Sequence, residues 1–155
     1  MMNEINEMKD KVTALVLNQI AEKVIGYAYK VSNTLGCGFL EKVYEKALIH
    51  EIKKAGLKVA PQFPMTVHYD GEIVGEYMAD LLVEDCLLLE LKAVETLDKI
   101  HFAQCLNYLK ATGLNSCLLI NFGRPKIQVK RFNSHFDQKQ TKKASNSYLS
   151  SSHSS

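Results

Sequence analysis

No apolar run among these 155 residues approaches the roughly 18 that a membrane-spanning helix needs, which excludes a transmembrane protein. The opening stretch, Met1 to Asp10, lacks the basic-then-apolar build of a signal peptide, so the expected location is the cytoplasm. Close cysteine pairs are missing too. Cys37, Cys86, Cys105 and Cys117 are scattered, which excludes a zinc knuckle or a redox motif. Three of them sit in or beside apolar runs, where a thiol acts as a small hydrophobe. Charge of one sign is scarce: the net charge is +2. A basic tail accounts for it, with Lys139, Lys142 and Lys143 against Asp137, so the body before it is neutral. Bulk charge therefore announces no nucleic-acid binder. What remains, 46% hydrophobic and 23% charged residues, is the balance of one soluble globular domain.

The tail, 133–155, is rich in serine and lysine and poor in apolar residues, so it is expected to be a flexible end. Ahead of it, Ile20, Val24, Ala28, Val31 and Leu35 recur at helical spacing, and Gly36 supplies a stop. Residues 1–17 read as an N-terminal helical extension, either continuous with this helix or separate. Leu40, Val43, Tyr44, Ala47 and Leu48 mark a second helix ending at Gly56. The period then changes to that of strands. Met65–Tyr69 and Ile73–Val83 flank a hairpin turn at Asp70-Gly71, with Gly75 at a bulge or bend. After a turn at Glu84-Asp85, Cys86–Val94 is nearly unbroken apolar sequence, as in a central strand. Asp98 can cap a third helix that runs to Thr112 and closes at Gly113. Ser116–Asn121 and Ile127–Phe132 complete the set. The order α-α-β-β-β-α-β-β predicts an α/β (α+β) fold, with a sheet packed by helices.

Charge inside the central strand is the anomaly, because an unpaired buried charge is costly. In Leu87-Leu88-Leu89-Glu90-Leu91-Lys92, Glu90 and Lys92 share one face, and Leu89 and Leu91 take the other. The strand before it carries its own misplaced acid, Asp80. A turn at Glu84-Asp85 brings Asp80 across from Glu90, so that two carboxylates and a lysine converge. Two carboxylates suit a magnesium ion, which takes oxygen ligands, waters and phosphate. The same three residues also suit a cross-strand ion pair that fixes the hairpin register.

Asp80, nine residues, then Glu90-x-Lys92 resembles the signature of the PD-(D/E)XK nuclease superfamily, with Ala79 where the proline would stand. Gly38-Phe39-Leu40-Glu41-Lys42-Val43-Tyr44 is similar to the motif of the GxxExxY proteins, a small bacterial and archaeal group within it. The resemblance continues through Tyr77–Val83, Glu90–Val94, Gln104-x-x-Asn107-Tyr108-Leu109 and Leu119–Gly123, and spans about 18–132. It implies a mixed sheet flanked by helices and a nuclease that acts on nucleic acid, most simply DNA, with Mg2+ or Mn2+ as cofactor. Asp80 and Glu90 would hold the ion, with the carbonyl of Leu91 as a third oxygen. Lys92 would position the attacking water, and Glu41 would make an outer acidic contact. Gln104 and Tyr108, four apart on one helical face, would support the lysine and the substrate. Tyr44 would support the substrate, or is equally a core tyrosine whose hydroxyl is satisfied within the fold. Two positions depart from the group's pattern: Ser32 stands where histidine is usual, and Met78 where arginine is usual.

Other residues read more plainly. Cys105 shares a stripe with Phe102, Leu106 and Leu109, as a core residue would, rather than acting as a nucleophile beside His101. The histidines form no ligand spacing. Lys126, Lys130 and Arg131 suit either a phosphate contact or a solvated face. Two further functions stay open: a non-cleaving nucleic-acid-binding module, and a structural or protein-interaction domain. Nothing in the sequence sets the oligomeric state.

Overall fold

A computed structural model describes residues 1–134 of the protein. Helix α1 (Met2–Leu35) and helix α2 (Glu41–Lys54) precede strands β1 (Val59–Tyr69), β2 (Glu72–Val83) and β3 (Leu87–Lys92). Helix α3 (Lys99–Thr112) then leads to β4 (Ser116–Asn121) and β5 (Gln128–Asn133). The five strands form one sheet in sequential order, β1 to β5. Only β3 and β4 are parallel. A parallel pair needs a crossover, and α3 is that crossover. The expected mixed sheet flanked by helices, in the expected order, is the fold. Among the described residues no helix is long and apolar enough to cross a membrane.

The pleat of β3 separates two cores. Leu87, Leu89 and Leu91 pack with Leu17, Val24, Val31, Leu48 and Ile52 of α1 and α2. Leu88 faces the other way, with Cys105, Tyr108 and Leu109 of α3. That division explains the unbroken apolar run: both faces of the strand are covered. Helix α1 is continuous from Met2, and Leu17 is the first buried side chain described along it. Helix α2 ends with Gly56 at φ 80°, donating to Lys53 O, while Leu57 donates to Ile52 O, the paired bonds of a Schellman stop. Helix α3 opens at Asp98 with a capping box. The Asp98 carboxylate accepts from Lys99 N, and His101 Nδ1 accepts from Asp98 N at 3.0 Å. The cap is where His101 is used.

Strand β1 begins at Val59, six residues earlier than expected. Pro61 and Pro64 hid it, since proline argues against a strand interior; β1 is an edge strand, where proline costs no ladder bond. The Asp70-Gly71 turn has both φ values positive, as a type I′ hairpin requires. Register shifts by one residue between Val67↔Gly75 and His68↔Ile73, so a bulge sits beside Gly75, as expected. The tail was expected from residue 133, yet Asn133 closes β5 and Ser134 donates to Asn115 O at 3.0 Å. Residues 135–155 lie outside the described residues.

Past Lys92 the β3–β4 ladder is continued by a side chain. Asn121, fully buried, accepts from Val94 N at 3.0 Å and donates to Val94 O at 2.8 Å, and its Oδ1 also accepts from Gly123 N. Gly123 lies so close to this segment that a Cβ there would run into the backbone of Val94. Gly123→Ala should therefore cost on the order of 3 kcal/mol and lower the melting temperature by roughly 10 °C. Gly26→Ala, in the interior of α1 with nothing within 4 Å, should be neutral or stabilising by up to about 1 kcal/mol. Thermal unfolding of the two variants beside wild type checks the pair.

Candidate functional site

The β2–β3 ladder runs Val83↔Leu87, Leu82↔Leu88, Leu81↔Leu89. One step further puts Asp80 level with Glu90, and there the hydrogen bonding changes. Leu91 N–H donates to the Asp80 carboxylate at 2.7 Å, so a side chain takes the strand's amide. Glu90 follows Leu88 in facing α3 and is 4% exposed. Its Oε1 pairs with Lys92 Nζ at 3.4 Å. Its Oε2 is buried and has no hydrogen-bond partner among the described residues.

Helix α2 brings two more acids. Glu41, its first residue, is half-buried and within electrostatic reach of both Asp80 and Lys92. Glu45, one turn on, is buried and adds its charge to Asp80. It is held by Lys42 Nζ at 3.1 Å and by Gln62 Nε2 at 2.8 Å. Sequence reasoning missed Glu45, although its i, i+4 spacing from Glu41 puts both acids on one helical face. Gln62 gave no signal. It sits at φ 53° where the β1–β2 pairing passes from Pro61↔Leu81 to Phe63↔Ala79, which leaves Gln62 and Asp80 opposite each other but unpaired in the ladder. There both strands change face: Leu81 packs with α1 and α2, whereas Phe63 and Ala79 pack on the α3 side. A non-glycine residue at positive φ stores strain. The kink places Asp80 between the acids of α2 and Glu90.

Crowding shows in the proton affinities. Burial, and then the Asp80 charge, push the Glu90 carboxyl up to about 7, against the pull of Lys92 and the Tyr108 hydroxyl. Burial raises Asp80 as well and outweighs the Leu91 N–H bond; the charge of Glu45 pushes the same way. Glu41 is raised by burial and by Asp80. Tyr108, buried, gives its hydroxyl to Met78 O at 3.1 Å and lies beside Glu90; burial, then that acid, hold its phenol well above the usual range. Three desolvated carboxyls around one lysine leave uncompensated negative charge, which favours a proton or a cation.

A profile of the PD-(D/E)XK nuclease superfamily matches residues 18–132. The chain belongs to that superfamily. A crystal structure of an alkaline exonuclease from Laribacter hongkongensis is similar at 14% identity and a TM-score of 0.39, over 80% of this chain and 85% of that one. No curated protein matches.

As a PD-(D/E)XK protein the chain has its acid–acid–lysine set gathered at one spot, with Glu41 beside it and Tyr108 against Glu90. Other expected residues lie differently. Gln104 is half-buried one turn before Tyr108, and its side chain makes no hydrogen bond among the described residues. Sequence alone leaves Tyr44 either part of the site or a core tyrosine with its hydroxyl satisfied. It is fully buried, stacked on Phe122 at 4.8 Å, and its hydroxyl donates to Gly36 O while accepting from Phe39 N. It braces the α1–α2 connection. Ser32 is buried in α1, and the Met78 side chain is half exposed. Among the described residues no three His, Cys, Asp or Glu side chains form a ready-made metal cage. Magnesium does not need one, since it keeps waters beside one or two carboxylates.

Stability should follow these proton affinities. A carboxyl raised in the folded state favours folding fully below its unfolded pKa and loses that contribution as pH rises through its folded value. For Glu90 the window runs from the ordinary 4.5 to about 7, and Asp80 and Glu41 act in the same direction. In chelator, the unfolding free energy should fall between pH 5 and pH 8 by up to about 3 kcal/mol. Glu90→Gln should flatten that slope. Urea titrations at several pH values test it.

Proposed function

We infer that this chain is a magnesium-dependent nuclease of the GxxExxY group that hydrolyses phosphodiester bonds, most simply in DNA, with manganese as a substitute ion. The observation that carries the reading is Glu90: a buried carboxylate with one oxygen on Lys92 and the other unmet, one strand away from Asp80. An ion pair built only for register would leave no buried acceptor without a partner, because that omission costs about 1–3 kcal/mol.

The donors suit a hard cation. Asp80, fixed by Leu91 N–H, and Glu90 would hold it, with the carbonyl of Leu91 as a further oxygen. When bound, such an ion lowers the pKa of water and stabilises charge on a phosphate. The chain's own part is positioning. Lys92 is held on its two sides by Leu91 N–H on Asp80 and by Phe122 N–H on Lys92 O at 2.8 Å. Its ammonium can then orient a water and meet negative charge on the phosphate. Glu41 would accept from that water's shell, and Tyr108 keeps Glu90 turned inward. Gln104 would reach substrate from the same face of α3. A second reading, a non-cleaving nucleic-acid-binding module, draws on Met78, which offers no cation where the group usually has one.

Linear and circular DNA incubated with and without magnesium or manganese test the activity. Lys92→Ala should abolish cleavage while the fold and metal binding persist, since the carboxylates hold the ion. Wild-type rates in that variant would end the assignment. Melting curves test the ion separately. Magnesium at ten times its dissociation constant should stabilise wild type by about 1.4 kcal/mol, roughly 3–5 °C. Asp80→Asn should remove most of that gain and leave the metal-free protein as stable or slightly more so.

A further inference from the structure

The wall of the site that carries Asp80 is unsuited to phosphate. From Val59 to Val83 the β1–β2 ribbon holds Asp70, Glu72, Glu76 and Asp80 and not one lysine or arginine. It presents apolar surface instead: Tyr77 is 46% and Met78 51% exposed, three and two residues before Asp80. A second patch lies just before Glu41, where Phe39 is 49% and Leu40 79% exposed. The two rings are not loose. Tyr77 leans on Tyr108, with centroids 6.4 Å apart, and Tyr108 abuts Glu90. Phe39 meets the buried Tyr44 edge-on at 6.2 Å, and its N–H is bonded to the Tyr44 hydroxyl at 3.2 Å. Each is a half-exposed aromatic anchored from behind, Phe39 two residues before Glu41 and Tyr77 three before Asp80.

Two cations beside the acids are already engaged, Lys92 by Glu90 and Lys42 by Glu45. Duplex recognition rests on arrays of lysine and arginine along two phosphate backbones, and the duplex keeps its base faces stacked away from side chains. Single strands offer those faces, and base–aromatic stacking supplies affinity without charge. The geometry points to single-stranded nucleic acid as the preferred substrate, with bases stacked on Phe39 and Tyr77 and the phosphate between them turned towards Lys92. This assignment rests on the nuclease reading above and deepens it: Phe39 and Tyr77 are specificity-determining residues, and Met78 serves as apolar wall where a cation would have served a duplex.

The test uses the full chain carrying Lys92→Ala, so that nothing is cut, and reads binding by fluorescence anisotropy. The probes are a labelled oligothymidine, a blunt duplex of equal length and an abasic strand. The single strand should bind at least tenfold more tightly than either, with a shallow salt dependence. Tyr77→Leu and Phe39→Leu should each weaken it by about 5- to 100-fold. Tyr77→Phe should retain affinity, because the ring and not the hydroxyl is used. Abasic affinity should not move in any variant, which also certifies that each is folded. Equal affinity for duplex or abasic strand, or leucine variants that bind like the parent, overturns the proposal and leaves the nuclease reading standing. Leucine variants that instead abolish self-association in sedimentation would assign the rings to an interface between copies, which overturns it too. Absence of binding to every probe, together with absence of cleavage by wild type, defeats both readings.

Discussion

A carboxylate takes over from the backbone where β2 leaves β3. Up to Leu81↔Leu89 the hairpin is an ordinary ladder; one residue later Leu91 N–H is satisfied by Asp80 and the site begins. That substitution lets the strands part without orphaning an amide, which in a buried strand would be expensive. It also fixes Asp80 against the residue between Glu90 and Lys92. Everything else in the site is arranged around this fixed point. The kink at Gln62 turns β1 and β2 aside, Glu41 and Glu45 close from α2, and Tyr108 closes from α3.

Strand periodicity carried the central argument from sequence. Alternation in β3 put Glu90 and Lys92 on one face, and the turn at Glu84-Asp85 set the register that brings Asp80 level with Glu90. Capping chemistry did the same for α3 and for the Schellman stop of α2. What stayed hidden was non-local. The early start of β1 depends on its being an edge strand, and no window of sequence reports which strand lies at an edge. Gln62 at positive φ is imposed by tertiary structure against its own preference. Tyr44 closes the Gly38–Tyr44 motif, yet its hydroxyl is consumed by the connection at which that motif begins. A conspicuous spacing can thus mark the scaffold of a site as well as its chemistry.

The alternatives left by the sequence, an ion pair or a metal site, are not exclusive in the structure. Lys92 does pair with Glu90, as a register-fixing bridge would. The arithmetic of charge is what separates the two. One ammonium faces Glu90, Asp80 and Glu41, and burial raises the proton affinity of all three carboxyls. A bridge evolved for stability gains little even when balanced, because desolvation consumes the attraction. An unbalanced one is worse. The excess acid therefore destabilises the fold on its own and favours the arrival of a proton or a cation.

Excess acid also constrains how a substrate can approach. A phosphodiester brought to these carboxylates meets repulsion from Asp80, Glu41 and Glu45 unless cations intervene, and the ribbon beside them supplies none. The net charge of the body, near zero, gives no long-range attraction to compensate. Contacts that ignore charge can then supply affinity that the ribbon's own side chains do not. The apolar side chains left exposed just before Glu41 and Asp80, Phe39 and Leu40 with Tyr77 and Met78, are the surface available for it. Repulsion at the centre and stacking at the rim would together admit a strand in one orientation, with bases outward to the rings and one phosphate inward to Lys92.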